Sequence, residues 1–512
     1  MPSSTATTTT TLLRRVGFNC LRTARTSAPL KLRVGKAQFS SCTAALQAAE
    51  RCPRLLGQPT HETHPHLLKE GEVTPGITAT EYALRRAQLA SNLPDGAVAV
   101  IPSADIKYRS GPVFYEFHQA PDFYYLTGFL EPEAVAVIEK AGPEGQHNFH
   151  LFVRPKDAHA EMWDGARTGV DAAMEIFNAD YAYDVAHLQH HIAPILARAT
   201  IVYADLPPPQ KTAHSTFFST ARGSTLTSAL EGKHTRPLKQ TMHQLRVSKS
   251  GAEAAVMRTA GKMSGRSYNE AMRRGFVGEK ELADFLEYEF KKHGCDGSAY
   301  VPVVAGGENA LSIHYTSNNS LFKCAHEDVY REGDMVLVDA GGHYGGYVTD
   351  ITRTWPVSGK FTDAQKDLYT AVLNVQRNCV KLCRETLGMS LDDIHRVSEV
   401  ELREELRQLG FDLSGNALTD MLYPHHVGHY VGVDLHDCGT YGRVAKLKSG
   451  QVITIEPGVY VPKDDRWPKH FQGIGIRIED TVYVGEKHPI VLTVEAAKEI
   501  VDIEALREEE MW

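Results

Sequence analysis

The chain has no run of about 18 uninterrupted apolar residues, so no membrane-spanning helix is expected. It has no acidic residue before Glu50. The acid-free stretch 1–49 holds Arg14, Arg15, Arg22, Arg25, Lys31, Arg33 and Lys36 and is rich in Ser and Thr. It lacks the compact apolar core of a secretory signal and so matches a mitochondrial transit peptide, with Phe39-Ser40-Ser41 as a processing point. The alternative is a basic tail that addresses nothing. Setting those seven charges aside takes the formal net charge from −8 to −15. An acidic body lacks the clustered Lys and Arg that nucleic-acid phosphates need, so no nucleic-acid partner is expected. The eight cysteines (Cys20, Cys42, Cys52, Cys295, Cys324, Cys379, Cys383 and Cys438) show no metal-type spacing with histidine. Buried free thiols in a reducing compartment fit that scatter. No repeat recurs at solenoid or propeller periods.

A length of 512 residues suggests two or three domains, and 42% hydrophobic with 23% charged residues suggests a globular body. The spacing predicts an irregular segment over 50–75, then a helix from Thr78, with Glu81 three residues on, to Leu93. Strands are predicted at Ala97–Pro102, Tyr124–Leu126, Ala134–Ile138, Phe149–Val153 and Thr200–Tyr203, with helices around 171–178 and 185–197. That alternation predicts an α/β domain. Residues 205–235 read as a loop leading to a boundary. Beyond it, apolar spacing predicts helices at 250–274, 278–293, 363–386 and 390–409. Strands are expected at 335–339, 346–355, 452–456, 474–478 and 481–484.

Chemistry gathers in the last 200 or so residues. Asp339 ends Val-Leu-Val-Asp, Asp350 lies in Val-Thr-Asp-Ile, Glu456 in Thr-Ile-Glu-Pro-Gly and Glu479 in Ile-Arg-Ile-Glu-Asp. Ionised acids in such apolar runs need compensating positive charge. A hairpin turn centred on Tyr344-Gly345 would set Asp339 directly opposite Asp350, with Cβ atoms about 5 Å apart. His429 adds one nitrogen. Four carboxylates and one imidazole suit Mn²⁺, Co²⁺ or Zn²⁺ better than a structural zinc. Two ions about 3.5 Å apart would lower the pKa of a shared water. Taken singly, each residue reads as an ordinary strand-end acid or structural histidine; the combination points to a hydrolase.

These five segments resemble, in order, the aminopeptidase P family of metallopeptidases, over roughly residues 75–505. The resemblance implies an α/β (α+β) fold, with an amino-terminal domain 76–235 and a pita-bread catalytic domain 236–505 following the transit segment 1–49 and the irregular linker 50–75. It implies Asp339, Asp350, His429, Glu456 and Glu479 as ligands of two divalent ions, Mn²⁺ first among candidates. Further positions follow from it. His314 resembles the family histidine that contacts substrate, His425 and His436 the pair flanking the metal histidine, and Arg477 the arginine two before the last ligand. Glu456 becomes the proton acceptor. Arg109 to Phe129 looks like the family's first-domain signature. His426 departs from the pattern, standing where many prolyl peptidases carry Gly. The resemblance implies a metalloaminopeptidase acting on peptide or protein amino termini, a homo-oligomer, in the mitochondrial matrix or at the inner membrane. Both Xaa-Pro and bulky-residue preferences stay open. Rival readings are a prolidase of Xaa-Pro dipeptides and an inactive peptide-binding module.

Overall fold

The computed structural model describes residues 55–205, 221–322 and 334–508. The expected transit segment 1–49 lies outside them, as do Cys20, Cys42, Cys52 and Cys324. The described residues belong to one compact unit. None of their helices is long and apolar enough to cross a membrane.

A six-stranded mixed sheet organises the amino-terminal half, in the order Thr235–Arg236, Ile201–Ala204, Ala97–Pro102, Val135–Lys140, His147–Val153, Tyr181–Asp184. Strand Ala97–Pro102 is buried on both faces. Ala97, Ala99 and Ile101 join Tyr82 and Leu89 of helix Ala79–Asn92 in one core, while Val98 and Val100 join Leu188, Ile192 and Leu196 in another. Helix Ala79–Asn92 starts as predicted, with Thr78 accepting from the Glu81 amide.

Three expected elements need correction. Tyr124–Leu126 is helical, within Pro121–Thr127. Pro121 opens that helix and Gly128, at φ 66°, closes it. Phe123 to Thr127 are all buried, which hid the helical period. The 205–235 stretch is not simply a loop, because helix Ala221–Leu230 packs Leu226 and Leu230, one turn apart, into the second core. Residues 346–355 form two strands, Tyr347–Val348 and Thr352–Pro356.

In the carboxy-terminal half, helices Gly251–Arg273, Glu279–His293, Asp363–Leu382 and Leu391–Gln408 enclose short antiparallel sheets. Strand Met335–Asp339 lies between Val303–Gly306 and Thr352–Pro356. The hairpin turns at Gly345-Gly346, because Tyr344 pairs with Tyr347. Asp339 therefore faces Thr352, not Asp350. A Cβ on Gly346, at φ 78°, would sit 2.4 Å from the Tyr124 ring, so the turn is tailored to glycine. Tyr268 braces the hairpin from helix Gly251–Arg273. Its hydroxyl donates toward the Ile351 carbonyl at 2.6 Å and accepts from the Ala340 amide at 2.9 Å.

Candidate metal centre

Asp339 ends its strand, and Asp350 sits in the break between the two strands of the returning arm. The Asp350 backbone is held at both ends by Thr481, whose Oγ1 accepts from its amide at 3.2 Å and donates to its carbonyl at 2.9 Å. His429 is placed by Gly428. A Cβ there would lie 2.0 Å from the Thr454 carbonyl oxygen, so only glycine lets this loop approach strand Val452–Ile455. That strand delivers Glu456. Glu479 leaves strand Gly475–Arg477, and its amide donates to the Thr352 carbonyl at 3.0 Å.

The side chains converge despite the altered register. Asp350, His429 and Glu479 each offer a ligand atom within 4.8 Å of the others. Glu456 Oε1 is 3.7 Å from His429 Nε2 and Asp350 Oδ2 is 3.3 Å from it. Asp339 joins through Tyr300, whose hydroxyl lies 2.6 Å from Asp339 Oδ1 and 2.7 Å from Asp350 Oδ1. Arg477, 1% exposed, donates to Asp339 Oδ2 at 2.7 Å and to the Tyr460 hydroxyl at 2.7 Å. Glu479 accepts from Thr352 Oγ1 at 2.6 Å. His425 Nδ1 faces the His426 carbonyl at 3.0 Å and therefore donates, leaving Nε2 to accept from Tyr460 at 2.9 Å. His436 is exposed and lays its ring 4.3 Å from that of His429. His314 is exposed on the turn after the short helix Gly307–Leu311, near enough for its charge to act on His436.

Tyr300, Thr352, Thr454 and Tyr460 were not singled out by sequence. A Tyr or Thr in a strand-rich segment carries no periodic signal, and only the fold sets Tyr300 and Thr352 against acids elsewhere in the chain and Tyr460 between Arg477 and His425.

The donor set fits divalent cations. His429 Nδ1 faces the Tyr430 carbonyl at 3.0 Å and must donate to it, so Nε2 points at two carboxylates as a lone pair or as N–H⁺. Tyr300 has one proton for two carboxylate neighbours. Both contacts call for a positive particle between the atoms. The charges agree. Burial opposes ionisation of His429, yet the bond to Asp350 and the Glu456 charge hold its pKa up at about 9. Burial pushes Glu456 up to about 7. Burial and the neighbouring Asp350, Glu456 and Asp339 charges hold Glu479 well above the usual carboxylate range. Burial raises Asp339 in spite of Arg477. For Asp350, burial is outweighed by His429, and the pKa falls. Four acids crowd around one permanent cation, Arg477.

A fold with this oxygen-rich centre is that of a metal-dependent hydrolase. Residues 255–486 match metallopeptidase family M24, and residues 82–203 match the aminopeptidase P N-terminal domain. The chain is 45% identical over 462 residues to intermediate cleaving peptidase 55 of Saccharomyces cerevisiae, covering 89% of each protein. It is 39% identical over 473 residues to Xaa-Pro aminopeptidase 3 of Homo sapiens, covering 88% of this chain and 90% of that protein. It is 39% identical over 459 residues to the mitochondrial intermediate cleaving peptidase 55 of Arabidopsis thaliana, covering 88% of each. The crystal structure of the yeast protein lacking its first 58 residues superposes with a TM-score of 0.78 at 42% identity, over 86% of this chain and all of that one. The chain belongs to the M24 metallopeptidases of aminopeptidase P architecture, and it is a metalloaminopeptidase.

Proposed function

We propose that the chain releases the amino-terminal residue of peptides and of proteins imported into mitochondria. The observation that carries this reading is the convergence of Asp339, Asp350, His429, Glu456 and Glu479. Those five residues would hold two divalent cations, with Mn²⁺ the first candidate for an oxygen-rich set with one imidazole. Bound there, the cations would polarise the scissile carbonyl and acidify a water.

The chain's own residues do the rest. Arg477 fixes Asp339 and, through Tyr460, orients His425. Glu456, beside His429 and 3.9 Å from His425, takes the proton released on attack. His314 and His436 are exposed, one or the other faces the scissile carbonyl, and His425 and His436 hold the chain beyond it. The amino-terminal domain, 76–235, and the catalytic domain, 236–505, together bound the entry for a free amino terminus.

The acid-free basic stretch 1–49 and the Arabidopsis thaliana relative support a mitochondrial location, in the matrix or at the inner membrane. We further assign the protein to homo-oligomers without a nucleic-acid partner, the latter on its acidic body. Two relatives named for intermediate cleavage support a processing role, for which the family resemblance implies a bulky first residue such as Tyr, Leu or Phe, and the human relative's name supports a Xaa-Pro alternative.

The test is release of the first residue from a Tyr-led peptide, a Xaa-Pro tripeptide and a Xaa-Pro dipeptide, with Mn²⁺ and with chelator. Release from the first, abolished by chelator, is expected. Cleavage confined to the dipeptide would make the protein a prolidase, and turnover indifferent to chelator would remove the cations.

A further inference from the structure

A second cluster of buried charge lies outside the metal centre, where the two halves of the chain meet. Arg246, 3% exposed, ends helix Lys239–Arg246. Its Nη1 donates to Asp122 Oδ1 at 2.6 Å, and Nη2 donates to Asp434 Oδ2 at 3.0 Å and Asp437 Oδ1 at 2.5 Å. Lys249 Nζ donates to the other Asp437 oxygen at 2.9 Å, and both of those side chains are 1% exposed. Burying such ions costs about as much as their pairing returns, so stability alone does not account for them.

Asp437 directly follows His436. Its amide donates to the Tyr430 carbonyl at 2.8 Å, folding the segment back on the residue after His429. Gly432 passes so close that a Cβ there would lie 2.4 Å from Asp437 Oδ2. Three residues before Arg246 on the same helix, His243 Nδ1 accepts from the Thr440 amide at 3.0 Å. One helix thus pins both sides of the exposed His436.

We propose that Asp437, clamped by Arg246 and Lys249, is a positioning residue that sets the His436 imidazole beside His429. The inference rests on the reading of His436 as a substrate-facing group. Through Asp122, in the first turn of helix Pro121–Thr127, the same guanidinium ties the amino-terminal half to this setting. None of the three clamp residues reaches the substrate; each acts by restricting where one exposed imidazole can stand.

A double-mutant cycle on the Mn²⁺-loaded full chain tests it, with His436→Ala, Asp437→Asn and both together, reading kcat, KM and bound metal on one peptide. A displaced imidazole should cost kcat roughly 10- to 100-fold. Metal content should hardly move, any rise in KM should not exceed that of His436→Ala, and Asp437→Asn should cost nothing further once His436 is absent. Arg246→Lys keeps the charge but loses the fork, and gives a smaller kcat loss that also vanishes with His436→Ala. It serves in the cycle if Asp437→Asn does not fold. Losses that multiply in the double variant, or an Asp437→Asn protein that sheds metal, overturn the positioning role. A fully active His436→Ala protein instead overturns the role given to His436.

Discussion

At Asp350, exchanging one oxygen for nitrogen probes the cation site without changing its shape. Asp350→Asn is expected to abolish metal-dependent turnover while far-UV circular dichroism stays close to the parent, and full retained activity would count against the scheme. Tyr300 tests the same centre from its rim. The phenol touches Asp339 and Asp350 with a single proton, so Tyr300→Phe removes support from both. Loss of such a partner weakens metal binding roughly 10- to 100-fold, which titration calorimetry with Mn²⁺ would read. The acids could be picked out in the sequence because a charged residue inside an apolar run is chemically anomalous, and His429 because its motif stands in order with theirs. Tyr300, Thr352 and Tyr460 could not, because a hydroxyl in a strand or a bend is unremarkable until its neighbour is known.

Among elements, strand Thr352–Pro356 and strand Asp480–Tyr483 are joined by Arg353. The guanidinium, fully buried, reaches Asp480 Oδ1 at 2.8 Å, the Ala496 carbonyl at 3.0 Å and the Glu479 carbonyl. Asp480 also accepts from Gln376 at 2.9 Å and from Thr493 at 2.8 Å. Asp480→Ala would strand a buried cation and is expected to cost about 3–5 kcal/mol in chemical denaturation. A loss below about 1 kcal/mol, the level of an exposed ion pair, would contradict this account. Long helices with one apolar stripe were legible from their spacing, and the cap at Thr78 from Glu81 three residues on. Helices Gly251–Arg273 and Leu391–Gln408 begin at capping boxes, Ser250 with Glu253 and Ser390 with Asp393. The seven-residue helix Pro121–Thr127 was not, since burial on all sides erased its period. The hairpin register moved by two residues because the turn uses Gly345-Gly346. A shift of two preserves the face, so Asp339 still points toward the centre.

For the molecule as a whole, acid sensitivity has an identifiable contributor in His395. Burial and the charges of His426 and Arg443 lower its pKa to about 4, against the opposing pull of Asp392. The unfolded chain, with an ordinary histidine pKa near 6.5, binds the proton more readily. Its contribution to stability is therefore complete above about pH 6.5 and is lost as pH falls toward about 4. His395→Asn should show a smaller fall in Tm between those pH values than the parent, and an equal fall would exclude this contribution. Chelation acts on the same scale. Stripping divalent ions leaves four acids around Arg477 without compensation, so Tm should fall along with activity and recover with Mn²⁺.

The sequence by itself determined the ligand types, the helix caps, the acid-free leader and the family, because each is a local matter of residue chemistry or of motif order. Tertiary structure decided which hydroxyls touch the acids, how the hairpin pairs and which ions clamp the His436 segment. Several of those contacts join residues more than a hundred positions apart, as Asp339 to Arg477 and Arg246 to Asp437 do. Their energies depend on how far each charge is withdrawn from water, a property no local stretch of chain possesses.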